Sequence, residues 1–122
     1  MEERIYGVIP HEQGTKRQKM KYIKVETSEI LKQFAEPDME TYRTDTGLVI
    51  MKGTADTKNG RLKHVSISRQ DRYPDWDEML MVKEFFFGNT DAMMMMPRKQ
   101  NYVNVMQNCF HLWECPEKWE VQ

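Results

Sequence analysis

The chain has 122 residues, is 30% charged, and carries a formal net charge of −1. That length supports one compact domain, and 18 basic against 19 acidic residues exclude a global electrostatic pull toward nucleic acid or anionic lipid. No apolar run approaches the about 18–20 residues of a membrane span, and the charged start Met1-Glu2-Glu3-Arg4 is no signal peptide. Two cysteines without a secretory segment point to free thiols in a reducing cytoplasm. Val, Ile, Leu and Phe number only 24, close to the level at which a highly charged chain stays unfolded. The near-zero net charge and 11 Met residues argue for a folded domain with a thin, Met-supplemented core.

Residues 1–47 are polar and form an N-terminal segment, expected to pack on or beside a core spanning 48–122. Lys16, Arg17, Lys19, Lys21 and Lys24 form a basic run. Such a run releases counterions from a phosphate backbone, or it keeps a strand edge from pairing. Residues 28–34 read as a short helix, with Ile30, Leu31 and Phe34 on one side and Pro37 ending it. Residues 48–51 read as a strand. Asn59-Gly60 is the preferred pair for a type I′ hairpin turn, which needs positive φ at both central residues. The return strand, 62–68, alternates: Val65 and Ile67 face one way, and His64, Ser66 and Ser68 the other. A two-residue turn there sets Asp56 opposite Lys63.

The clearest helix spans Trp76 to Phe87. Asp75 is a good N-cap, Glu78 completes a capping box, and Gly88 suits the left-handed C′ position. At about 100° per residue, Trp76, Met79, Leu80, Val82, Phe86 and Phe87 form one stripe. Lys83 falls inside it and is expected to reach an edge with its ammonium. Met81 and Phe85 fall on the far side, where they need a second layer or a partner, a second copy of the chain included. Residues 92–96 have no polar position and read as a strand buried on both faces. Residues 102–106 and 109–113 then fit a hairpin. Its outer face carries Tyr102, Asn104, Met106, Cys109, His111 and Trp113, and its inner face Val103, Val105, Phe110 and Leu112.

Three groups of residues could carry chemistry. His64-Val65-Ser66 matches the H-x-[ST] element of two-histidine phosphoesterases, in which two such elements set two imidazoles around one phosphate. His111-Leu112-Trp113 is the only second candidate, and it lacks the hydroxyl. A catalytic role for His64, Ser66 and His111 requires both histidines to face one pocket. Cys109, His111 and Cys115, with His64 or His11, lack the paired CxxC spacing of structural zinc sites, so no metal is expected. No glycine-rich phosphate loop or dinucleotide fingerprint occurs, so no cofactor is expected either. The third group is a surface: Tyr102, Asn104, His111 and Trp113 form an aromatic, hydrogen-bonding face of the type that anchors interfaces, with Met81 and Phe85 as a second apolar site.

Residues 62–115 also resemble a known family. His64-Val65-Ser66-Ile67-Ser68-Arg69, then Arg72-Tyr73-Pro74-Asp75-Trp76-Asp77-Glu78, then Tyr102-Val103-Asn104-Val105, then Cys109-Phe110-His111-Leu112-Trp113-Glu114 are similar to small bacteriophage and prophage proteins grouped as a domain of unknown function. The resemblance assigns no catalytic residues. It implies an accessory protein that binds and blocks a bacterial host factor, working in the host cytoplasm. The combined expectation is an α+β domain: an antiparallel sheet of four or five strands with one main helix on a face. Its function is expected to be non-enzymatic inhibition of a host protein or ribonucleoprotein, with a defence nuclease complex of the CRISPR type as the leading target. The alternative is a protein that binds or cleaves a nucleotide or cyclic oligonucleotide.

Overall fold

The structure, a computed structural model, describes residues 3–9, 20–32, 38–97 and 108–116. Seven strands and two helices follow in chain order: β1 Glu3–Ile9, β2 Tyr22–Val25, α1 Glu29–Lys32, β3 Glu40–Thr44, β4 Val49–Thr57, β5 Gly60–Ser68, α2 Trp76–Phe87, β6 Ala92–Pro97 and β7 Phe110–Glu114. The strands form one open sheet in the order β1-β6-β7-β5-β4-β3-β2, and every pairing is antiparallel. The α+β expectation holds, but the sheet is wider than four or five strands. Three of its strands come from residues 1–47, so the polar segment and the core share one sheet.

Local chemistry explains α2. The Asp75 side chain accepts from the Glu78 backbone N–H at 2.8 Å, and Glu78 in return accepts from the Asp75 N–H at 3.0 Å. This reciprocal box satisfies two of the orphan donors at the helix start. Gly88 closes the helix at φ 57°, and its N–H bonds the Glu84 carbonyl. α2 lies on the sheet face that bears Ile50, Val65, Ile67 and Leu112, and Met79, Leu80, Val82, Phe86 and Phe87 pack against them. Each such side chain, fully buried, contributes about 1.5–3 kcal/mol.

Two stripe members behave differently from the helical-wheel expectation. Trp76, at the first helical position, is 51% exposed, whereas Met79 one turn on is 1% exposed and in the core. Lys83 is 1% exposed and does not reach an edge. Its ammonium donates to the Gly88 carbonyl at 2.9 Å, at the negative end of the helix dipole. Lys63 reaches the same end from β5, donating to the Phe86 carbonyl at 2.7 Å. On the far side of α2, Met81 is half-buried against the core, and Phe85 stacks on Tyr22 of β2 with ring centroids 3.9 Å apart.

The β4–β5 hairpin forms, with a register two residues off the expected one. Thr57 pairs with Gly60 and Asp56 with Arg61, so Lys58 and Asn59 make the turn. Asp56 forms its ion pair with Arg61 at 3.0 Å, and Lys63 sits opposite Thr54. Gly60 takes φ 102° while Asn59 does not take positive φ, so the turn is not type I′, which needs both central residues there.

The strand expected at 109–113 forms, and among the described residues its two neighbours are β5 and β6. β7 pairs with β5 through Phe110–Trp113 on one side, and with β6 through His111–Glu114 on the other. A strand has two edges, and both are taken. Residues 102–106 themselves lie outside the described residues, as do Phe34, Pro37 and Trp119. The Met-rich strand is internal as expected: β6 runs between β1 and β7, with Ala92 and Met93 buried. Helix α1 covers four residues of the expected 28–34 span.

Candidate site at the β5–β7 seam

The second face of the sheet, opposite α2, carries the polar side chains. Alternation puts His64 and Ser66 of β5 on this face, and His111 and Trp113 of β7 beside them. The register sets His64 against Trp113 and Ser66 against His111. Cys109, two residues before His111, continues the row. The row is interior: relative exposure is 8% for His64, 4% for Ser66, 3% for His111 and 0% for Cys109, and Trp113 is half-buried.

The two imidazoles meet edge to edge. His64 Nε2 lies 2.7 Å from His111 Nδ1, so one ring nitrogen donates and the other accepts. Ser66 Oγ is 3.2 Å from the same His111 Nδ1. On the far side of that ring, Cys109 Sγ is 3.8 Å from His111 Nε2. The rings are also layered, with His64 4.9 Å from His111 and 4.2 Å from Trp113 between centroids. Burial pushes both histidines down: His111 to about 4, and His64 to about 3 with the neighbouring His111 adding to the effect. Both are neutral at physiological pH.

This geometry bears directly on phosphoester chemistry. The requirement that His64, Ser66 and His111 share one face is met, and the three side chains touch. Yet the two nitrogens that would flank a phosphate hydrogen-bond each other, which leaves no space for one between them. A pair neutral at pH 7 supplies no imidazolium to protonate a leaving group. Among the described residues no group of three or more His, Cys, Asp or Glu side chains is arranged to hold a metal. Cys109 and Cys115 are free thiols, and burial pushes the Cys115 thiol up, away from the reactive thiolate.

The other sequence-predicted positions are dispersed. His111 and Trp113 belong to this interior layer, not to an open docking face. Tyr102, Asn104, Lys16, Arg17 and Lys19 lie outside the described residues. Lys21 is exposed, and the Lys24 ammonium is committed to an ion pair with Glu40.

A second constellation centres on Glu78, 5% exposed. Its carboxylate accepts from Arg72 at 2.6 Å and from Arg69 at 2.8 Å. Burial alone would raise the Glu78 carboxyl. The Arg72 and Asp75 hydrogen bonds and the two guanidinium charges outweigh burial and hold it below the usual carboxylate range. Arg69 also donates to Asp71 and to the Thr46 carbonyl, and the Asn108 amide donates to the Arg69 carbonyl at 3.1 Å. One buried carboxylate thus ties together the β3–β4 turn, the 69–75 loop and the residue leading into β7. The loop presents Tyr73 at 41% and Trp76 at 51% exposure. The Arg72 side chain beside them is 46% exposed, and Tyr73 is braced at 5.2 Å against Phe110. Sequence reasoning assigned Trp76 to the core and gave Tyr73 no role. The available signal was position: Trp76 is the first residue after the N-cap, where a side chain overhangs the packed stripe.

Fold and site together define a small open-sheet α+β domain with a sealed polar layer on one face and a clamped aromatic loop at its rim. A family model described as a domain of unknown function, DUF7694, matches residues 54–117. That is more than half of the chain, which therefore belongs to this family. The match takes in the histidine row and Glu78 with Arg69 and Arg72, but not the β3–β4 turn. Comparison with curated proteins and with solved structures finds no match. Among the described residues no helix is long and apolar enough to cross a membrane.

Proposed function

We propose that this protein acts by binding a macromolecular partner through the 69–76 loop, and not by catalysis. One observation carries the reading: a Trp, a Tyr and an Arg stand exposed on a loop whose backbone is fixed by the Glu78 clamp. Those three residue types dominate interface hot spots, and a loop held in place before binding loses less conformational entropy on association. The sealed, neutral histidine pair supports the same conclusion from the other side.

The partner class comes from the resemblance of residues 62–115 to small phage and prophage proteins. It makes the target a bacterial host factor, with a defence nuclease complex of the CRISPR type first to be tested. The tagged protein, expressed in a bacterium with active CRISPR interference, is expected to restore plaquing of a targeted phage and to co-purify with the effector complex. Trp76→Ala and Tyr73→Ala are expected to lose both effects while keeping the wild-type circular dichroism spectrum. Retention of both effects in the double variant removes the loop from the interface. Failure to restore plaquing against any interference type, with the protein expressed and folded, removes the target class.

A further inference from the structure

β2 is the last strand on its side of the sheet, and among the described residues only β3 pairs with it. Among the described residues, two of the four exposed large apolar side chains belong to this rim: Ile23 at 60% and Phe85 at 57%, the latter stacked on Tyr22 of β2. Lysines usually blunt such an edge. Here the Lys24 charge is drawn off the edge to Glu40, which also holds Lys52.

The direction of the backbone groups fixes what can add there. The Lys21 carbonyl accepts from the Asp45 N–H at 3.3 Å, so Lys21 turns its peptide groups toward β3. By alternation Ile23 and Val25 do the same, and Tyr22 and Lys24 present N–H and C=O to the open side.

We propose that two copies of this chain pair antiparallel through β2, with Ile23 on the twofold axis. A twofold axis normal to a sheet keeps like faces together, so opposed residues must differ by an even number. Centring on Ile23 opposes Tyr22 of each copy to Lys24 of the other. That is the hydrogen-bonded pair the outward-facing groups require, and it closes four main-chain bonds. The two Ile23 side chains then meet across the axis as a non-hydrogen-bonded pair, whose side chains approach most closely, and each covers the other. Centring on Lys24 instead opposes Ile23 to Val25 and leaves no contact between the two Ile23 side chains across the axis. A four-residue edge gives a small interface, so the association is weak and concentration-dependent.

The test is sedimentation equilibrium of the full chain over a concentration series. The wild type is expected to shift from monomer to dimer, and Ile23→Lys to stay monomeric at every concentration with an unchanged far-ultraviolet dichroism spectrum. A second pair of variants, in a Cys115→Ser background, reads the register. Ile23→Cys is expected to cross-link into a dimer under oxidised glutathione, and Val25→Cys, displaced from the axis, is expected not to. A wild type that stays monomeric throughout, an Ile23→Lys variant that still dimerises, or Val25→Cys cross-linking as fast as Ile23→Cys overturns the proposal.

Discussion

Mild acid should destabilise this fold through the His64–His111 pair, and the amount can be worked out. Both histidines are held below their ordinary value of 6.5, His64 to about 3 and His111 to about 4, chiefly by burial. Between pH 6.5 and about 4 the unfolded chain therefore binds protons that the folded chain refuses. Stability rises with pH wherever the unfolded state binds more protons. The pair's contribution is thus complete above pH 6.5 and falls as the pH drops below it. Each histidine changes stability by about 1.4 kcal/mol per pH unit inside that window. From pH 7 to pH 5 the loss is about 2 kcal/mol per histidine and about 4 kcal/mol for the pair. That is a large share of the roughly 5–15 kcal/mol that a small domain possesses. The assay is urea unfolding followed by tryptophan fluorescence at pH 7 and pH 5. His64→Gln should show about half the wild-type loss, and His64→Gln/His111→Gln almost none of it. His11 is present in every variant, so its contribution cancels. The carboxylates held below their ordinary range, Glu78 among them, lose their contribution only at more acid pH. Equal wild-type stability at both pH values, or an undiminished loss in the double variant, refutes the account of a sealed neutral pair.

Other consequences follow from the clamp, the turn and the loop. Glu78→Gln leaves two guanidinium groups without their shared carboxylate and weakens the capping box; it should cost about 3 kcal/mol or more, read as a lower urea midpoint. Gly60→Ala meets no neighbouring atom but keeps φ near 102°, so backbone strain alone should cost about 1–2 kcal/mol, visible as a drop in Tm. Trp76→Ala should change unfolding free energy by less than about 0.5 kcal/mol, as exposed substitutions do, because its side chain overhangs the core. An equilibrium loss of several kcal/mol in that variant would place Trp76 in the core after all.

Much of this architecture is legible in the residues. The Asp75–Glu78 box and Gly88 delimit α2 because capping is local chemistry, decided within four residues. Alternation in 62–68 places His64 and Ser66 on one face, and the same rule in 109–113 adds His111 and Trp113. What alternation alone does not decide is which strands are neighbours. The 102–106 and 109–113 segments matched each other face by face, yet β5 and β6 take both edges of β7, and those pairings join residues 16 to 49 positions apart. Nor does periodicity report the ends of elements. The helical wheel treats Trp76 as equal to Val82, while the structure leaves Trp76 51% exposed and Val82 0%. Lys83 is the reverse case, a charge that sits in the core because a carbonyl at the helix C-terminus accepts from it. The Glu78 clamp is nonlocal in the same way: its motif is visible, but the partners at Thr46 and Asn108 are set by the fold.

We place partner binding in the 69–76 loop and give the histidine row a supporting role in the fold. Phage plaquing on a CRISPR-immune host expressing each variant tests this placement most directly, with expression and folding verified for each. The prediction is that Ser66→Ala and His64→Gln keep the wild-type effect while Tyr73→Ala/Trp76→Ala loses it. Loss of the effect in folded His64→Gln, with the loop variant fully active, would contradict the account and move the function to the histidine row.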